Sequence, residues 1–220
     1  MSLLIGSSNV FSKVAMDELI DSLRSKGWCV LDDLFSSDLI DSLVTEASQL
    51  PRTALQQAGI GRRTDYQVKQ DARRDSILWI DANTDLRSRF LGIMEAMRVA
   101  LNRSLLLGLF YYEAHFARYD KGGFYKKHLD AFKGESNRML STVLYLNNDW
   151  QTDNGGELVL FDEFDTAKEI AHIRPEKGRF VVFLSESFYH QVNPAKVCRH
   201  SIAGWFRINA SKHSRVDPVR

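Results

Sequence analysis

The stretch YKKHLDAF, residues 125 to 132, sets His128 and Asp130 two positions apart within an aromatic and basic run. On an extended strand, side chains at i and i+2 leave the same face, so an imidazole and a carboxylate at this spacing converge on one point. A third donor would complete a metal site, and His190, in the strand-like FYHQV, is the best candidate. Two histidines and one carboxylate make the facial triad that leaves positions open on non-haem iron(II). An H-x-D tripeptide also arises by chance, and a lone strand histidine is more often a hydrogen-bonded core or surface residue. Arg199, nine residues after His190, sharpens the reading. It opens the strand RHSIAGWFRIN, on which Arg199, Ser201, Ala203 and Trp205 share one face and Ile202, Phe206 and Ile208 the other. An inward guanidinium is costly without an anion, and its planar fork matches a carboxylate in two-point fashion. The distal carboxylate of 2-oxoglutarate fits; the plainer alternative is an internal acid or a place at a sheet edge.

These residues need a scaffold, and the sequence pattern supplies one. VAMDELIDSLRSK, residues 14 to 26, repeats Val14, Leu19, Ile20 and Leu23 at helical spacing and stops at Gly27. WCVLDDLF reads as a short strand, and SSDLIDSLVTEASQL as a second helix opened by serine and closed before Pro51. Residues 52 to 75 have no clear period and carry six basic against three acidic side chains, a basic loop that is either a disordered segment or a lid over a peptide substrate. SILWID is strand-like, and LRSRFLGIMEAMRVALNRSL is a third helix of about five turns. From residue 109 to 209 the chain alternates short apolar runs with turn signals: FYYEAHFARY, FYKKHLDAF, RMLSTVLYLN, ELVLF, GRFVVFL, FYHQV and VCRHSIAGWFRIN. Many short strands at close spacing predict a sandwich or barrel of mainly antiparallel sheets. Phe116, Leu144, Leu146, Leu158, Leu160, Val182 and Phe183 are its expected core, and residues 210–220 a polar surface tail.

Composition narrows the class. At 220 residues, 44% hydrophobic and 26% charged, the chain is long enough for one well-filled core and reads as a single domain of ordinary soluble composition. A formal net charge of +1 gives no global attraction to nucleic acid or anionic lipid. No run reaches the ~18 apolar residues that span a bilayer, so no membrane partner is expected. Cys29 and Cys198 are too few for a disulfide framework and fit a reducing compartment, so the expected location is cytoplasmic. A zinc hydrolase fits less well, because such sites are richer in histidine or cysteine. His115, His172, His200 and His213 lack ligand spacing and are expected to be structural or superficial. Tyr125, Lys126 and Lys127 adjoin the metal motif and are read mainly as a solvated face, with substrate contact as the alternative. Cys198 is a plausible oxidation-sensitive thiol only if exposed.

Taken together, Tyr119, HLD at 128–130, YLNNDW at 145–150, the glycine pair 155–156, His190, Arg199 and Trp205 resemble the prolyl 4-hydroxylase branch of the iron- and 2-oxoglutarate-dependent dioxygenases. The likeness is greatest to the hypoxia-factor prolyl hydroxylases and their bacterial relatives, and runs from about residue 28 to residue 208. It implies an α+β fold, a double-stranded β-helix (jelly-roll) core at 109–209 supported by the N-terminal helices and strands of 1–108. It implies that His128, Asp130 and His190 hold iron, that Arg199 and Tyr145 bind 2-oxoglutarate, and that Tyr119 and Trp205 contact substrate. The implied activity is hydroxylation of prolyl residues in a protein or peptide, of the procollagen-proline or peptidyl-proline type. Iron(II), 2-oxoglutarate and O2 are consumed or held, succinate and CO2 are released, and ascorbate is an auxiliary reductant. Two departures stand out. The gap from Tyr119 to His128 is one residue shorter than in the animal enzymes, and Ala203 replaces a polar residue on the inward face. Within the enzyme class the alternative is a dioxygenase for free proline or another side chain; outside it, a non-catalytic jelly-roll binding module.

Overall fold

The helices end where the sequence punctuates them. In the computed structural model, which describes residues 11–58, 71–131 and 137–209, α1 (Lys13–Lys26) closes on Gly27, whose φ of 76° lets its N–H return to the Leu23 carbonyl at 3.1 Å. The Ser36 hydroxyl accepts from the Leu39 N–H at the start of α2 (Ser37–Gln49), and the Thr84 hydroxyl from the Arg87 N–H at the start of α3 (Asp85–Leu105). Around these helices run β1 (Trp28–Leu31), β2 (Gln56–Gln57) and β3 (Ser76–Trp79), then β4 (Leu109–Tyr119), β5 (Tyr125–His128), β6 (Arg138–Tyr145) and β7 (Leu158–Phe161). The last four strands are β8 (Glu169–Ile173), β9 (Phe180–Leu184), β10 (His190–Val192) and β11 (Arg199–Ile208).

The strands form two antiparallel sheets, ordered β1-β9-β6-β11-β4-β3-β2 and β5-β10-β7-β8. Period-two alternation divides the larger sheet into two faces. Leu140, Leu144, Phe180, Val182, Ile202 and Phe206 pack against Leu19, Leu43, Phe90 and Met94 of the helices. The opposite face sets Ala117, Tyr119, Tyr145, Val181 and Phe183 against Leu158, Leu160 and Val192 of the smaller sheet. Two sheets facing across a shared core, with helices covering one outer face, make the expected double-stranded β-helix. All seven expected core residues are buried, but Phe116, Leu144, Leu146 and Val182 face the helices, whereas Leu158, Leu160 and Phe183 lie between the sheets. No helix among the described residues is long and apolar enough to cross a membrane.

Three expectations are corrected. The strand expected through Asp130 ends at His128, and Asp130 lies in a bend beyond it. Part of the segment 52–75 is regular: Arg52–Ala54 form a 3-10 turn and β2 pairs with β3. β8 is an additional strand, whose half-exposed residues carry too weak an apolar signal to stand out. The candidate lid falls largely on residues 59–70, which lie outside the described residues, as do 210–220 and His213.

Candidate active site

His128 and His190 are directly paired across β5 and β10, which places their rings 4.2 Å apart between centroids. Asp130 folds back to them, with Oδ1 3.5 Å from His128 Nε2 and Oδ2 3.6 Å from His190 Nε2. Among the described residues, this is the one group of three histidine, cysteine or acidic side chains whose ligand atoms all lie within 4.8 Å of one another. Backbone carbonyls fix both ring orientations: His128 Nδ1 lies 2.8 Å from the Lys126 oxygen and His190 Nδ1 3.1 Å from that of Phe188. Donation from Nδ1 leaves each Nε2 lone pair facing the centre, the tautomer a metal ligand needs.

The carboxylate is similarly prepared. Ser141 Oγ and Trp205 Nε1 both donate to Asp130 Oδ2, at 2.7 and 2.9 Å, so Oδ1 is the oxygen left for a cation. Burial alone would raise the Asp130 carboxyl, but His190, His128 and Arg138 outweigh it and hold it well below the usual carboxylate range. Burial, reinforced by His128, pushes His190 down to about 4. A charged carboxylate beside a neutral imidazole suits a divalent ion.

Further along the inward face of the larger sheet, beyond Ser141 and Trp205, lies a second polar cluster. Arg199, 1% exposed, is paired in register with Tyr119, and Ser201 with Tyr145. Arg199 donates Nε to the Gly156 carbonyl at 3.0 Å and Nη1 to Ser201 Oγ at 3.2 Å, and its guanidinium lies 4.8 and 5.0 Å from the Tyr119 and Tyr145 ring centres. Among the described residues no acid pairs with it, and the buried Tyr145 hydroxyl beside the guanidinium lacks a well-formed hydrogen bond. A buried cation with unused donors beside an orphan hydroxyl is a fitted receptor for one carboxylate. Gly156 permits this approach: its φ is +72°, and a Cβ there would meet Arg199 Cδ at 3.2 Å.

Of the expected site residues, His128, Asp130 and His190 meet at one end, and Arg199, Tyr145 and Tyr119 at the other. Trp205 belongs to the first group, with its indole N–H committed to Asp130. Lys127 turns away, over the Phe161 ring at 3.7 Å and bonded to the Thr166 carbonyl. Ala203 faces His115 on β4 and Val143 on β6, so the polar group of that row comes from the neighbouring strand. His115 is 3% exposed, edge-on to Trp79 at 5.2 Å, and burial lowers it to about 4. Its lack of ligand spacing gave no sign of this position. Ser141 was likewise missed, although its alternation with Tyr145 on one strand could have revealed an inward hydroxyl.

The profile of the 2OG-Fe(II) oxygenase superfamily matches residues 114–207. A crystal structure of a Pseudomonas putida prolyl-4-hydroxylase is 36% identical, with a TM-score of 0.78 over 88% of this chain and 98% of that one. The prolyl hydroxylase of Trichoplax adhaerens, in complex with a hypoxia inducible factor peptide, shares the fold at 20% identity, with a TM-score of 0.78 over 88% of this chain and 89% of that one. Human prolyl hydroxylase EGLN3 is 28% identical over 88% of this chain and 84% of that protein; rat Egl nine homolog 1 is 27% identical over 88% of this chain, which spans 59% of the rat protein. The chain belongs to the 2OG-Fe(II) oxygenase superfamily, whose members work with iron(II), 2-oxoglutarate and O2.

Proposed function

We propose that this chain hydroxylates prolyl residues of a protein or peptide substrate. The observation that carries the reading is the presence of two prepared sites between the two sheets, a triad of donors and an arginine and tyrosine left without an anion. His128 and His190 would hold iron(II) through Nε2 and Asp130 through Oδ1. Arg199 and Tyr145 would hold the distal carboxylate of 2-oxoglutarate, with Tyr119 closing over the guanidinium. When bound, the metal and cosubstrate supply oxidising power: O2 is consumed, 2-oxoglutarate is split to succinate and CO2, and one oxygen atom goes to an unactivated carbon. The protein's share is orientation and exclusion of water. Leu158, Leu160, Phe183 and Val192 keep the inter-sheet space apolar.

The choice of a prolyl target is supported by the names of relatives, the Pseudomonas putida prolyl-4-hydroxylase above all. The mouth of the site agrees, because Trp79, 46% exposed, stands 6.4 Å from Trp205 and extends the aromatic wall toward solvent, where an extended peptide has access. Cys29 and Cys198 are both free thiols, which supports a reducing, cytoplasmic setting, with ascorbate as the reductant that keeps the metal ferrous.

Succinate release coupled to the gain of one oxygen atom on a proline-containing peptide tests the reading. Oxygen found only on free proline or on another side chain would replace the substrate class. Absence of succinate with iron(II), 2-oxoglutarate and O2 would remove the enzyme.

A further inference from the structure

Of the two proposed histidine ligands, His128 receives the less support from its sheet. It ends β5, a four-residue edge strand that pairs with β10 on one side only. The other edge is met by the segment before β3: Arg73 bridges Tyr125, the Arg74 N–H donates to the Phe124 carbonyl at 2.8 Å, and the Lys126 N–H to the Ala72 carbonyl at 2.8 Å. At Ser76 the same segment enters the larger sheet as β3. Residues 72–76 therefore tie the edge of one sheet to the other beside the metal site.

A bulge changes what this tie can do. His128 pairs with His190 and Tyr125 with Val192, so three steps along β5 match two along β10. The extra residue cancels the alternation that would put Tyr125 and His128 on opposite faces. Their rings lie stacked, 3.6 Å apart between centroids and 19° from parallel. The Arg73 guanidinium carbon stands 4.3 Å from the centre of the same Tyr125 ring. Two planar groups at these distances cannot share one face, so the phenol is sandwiched between imidazole and guanidinium. Arg73 is itself anchored, forking onto Asp75 at 2.7 and 2.5 Å, with the Asp75 side chain fully buried.

We propose that Tyr125, clamped by the Arg73–Asp75 pair, is a positioning residue that aims His128 at the metal. The inference rests on the reading of His128 as an iron ligand. The Nδ1 bond to Lys126 fixes one direction of the imidazole; the phenol face blocks the remaining tilt. The guanidinium, drawn to the negative face of the ring, holds the phenol in place. Nε2 is thus aimed before any metal arrives, and His128 gains through a side-chain stack the restraint that its strand lacks.

Manganese(II) titration of the protein without peptide or 2-oxoglutarate, read by the EPR signal of the free ion, tests the assignment. Tyr125→Phe keeps the aromatic face and is expected to bind within about twofold of wild type. Tyr125→Met keeps volume without a flat face and is expected to bind about tenfold more weakly, the scale of lost outer support at metal sites. Arg73→Met is paired with Asp75→Asn so that no carboxylate is stranded, and is expected to fall between. The ligand-field spectrum of the cobalt(II) form should shift in Tyr125→Met and return in Tyr125→Phe, a change that loss of stability alone would not produce. Wild-type affinity and spectrum in Tyr125→Met would overturn the inference and return Tyr125 to substrate contact. Absence of saturable manganese binding by the wild-type protein would overturn the metal-site reading, and the inference with it.

Discussion

The two histidines of the proposed triad face each other across one strand pair, yet they are secured by different means. His190 sits on β10, paired with β5 on one side and β7 on the other, 5% exposed and edge-on to Phe183 at 4.7 Å. Backbone pairing and packing suffice to place it. His128 ends an edge strand, and Asp130 lies past the end of any strand. Both depend on side-chain contacts: Tyr125 of the same strand and Arg73 from the segment before β3 for the histidine, Ser141 of β6 and Trp205 of β11 for the carboxylate. A ligand on a central strand inherits its geometry from the sheet, whereas ligands at an edge need clamps. The contrast predicts that distant substitutions disturb the His128–Asp130 half before the His190 half.

The largest effect should come from the donors themselves. Asp130→Ala and His190→Ala are each expected to abolish iron-dependent release of succinate from 2-oxoglutarate, and turnover surviving in Asp130→Ala would remove that residue from the ligand set. Next come changes at the cosubstrate end, which should leave the metal half untouched. Arg199→Met removes the cation, and loss of a buried charge contact of about 3 kcal/mol corresponds to a KM for 2-oxoglutarate raised roughly 100-fold. Gly156→Ala forces a side chain onto a φ of +72° and against Arg199 Cδ at 3.2 Å, and a rise in KM of about tenfold follows from even about 1.4 kcal/mol of displacement. Manganese affinity should be unchanged in both. If it falls in parallel, the two ends are not separable.

Smaller effects sharpen the comparison within the metal half. Trp205→Phe keeps a ring beneath Arg138, whose guanidinium lies 3.5 Å from the indole centre, but deletes the donor to Asp130 Oδ2. One hydrogen bond to a charged group contributes about 1.5–3 kcal/mol, so manganese should bind at least roughly tenfold more weakly. Ser185→Ala acts one step further out, because Ser185 Oγ is 2.9 Å from Ser141 Oγ and reaches the carboxylate only through it. Its cost, near that of one neutral hydrogen bond, is about 1 kcal/mol of stability by thermal denaturation, with metal affinity nearly intact.

What the sequence disclosed follows the same division. The helices, the core strands and the inward face of β11 are written in local periods, and Arg199 with His190 could be picked out from them. The clamps could not, because each depends on register. The β5 bulge makes Tyr125 and His128 neighbours at a spacing of three, against the alternation that a reader of sequence must assume. The HLD motif drew attention for a partly wrong reason. Its i and i+2 spacing suggested one strand face, but the chain bends after His128, and Asp130 is directed by Ser141 and Trp205, which lie 11 and 75 residues away. Nor could the role of Gly156 be read from its type alone, since it depends on Arg199 crossing beside it.

The gentlest probe is pH, and its sign follows from burial. His190 and His115 are both lowered to about 4, His190 by burial and by His128, His115 by burial and by Arg73; His200, half-buried, is lowered in the same sense by burial and by Arg118. In the unfolded chain these imidazoles take up protons below about pH 6.5. Between roughly 6.5 and 4 the unfolded state therefore binds more protons, so stability is fully present above 6.5 and is lost as the pH falls through that window. The Asp130 carboxyl, held well below the usual range, contributes stability that is present above about 4 and is lost only in stronger acid. The metal-free protein should accordingly melt at progressively lower temperature from pH 6.5 to 4. His115→Phe retains an aromatic partner for Trp79 while removing one of the three titrating rings, and should make that decline shallower by roughly a third to a half. An unchanged slope would mean that His115 is protonated without cost in the folded protein, and that its place between two tryptophans is wetter than its 3% exposure implies.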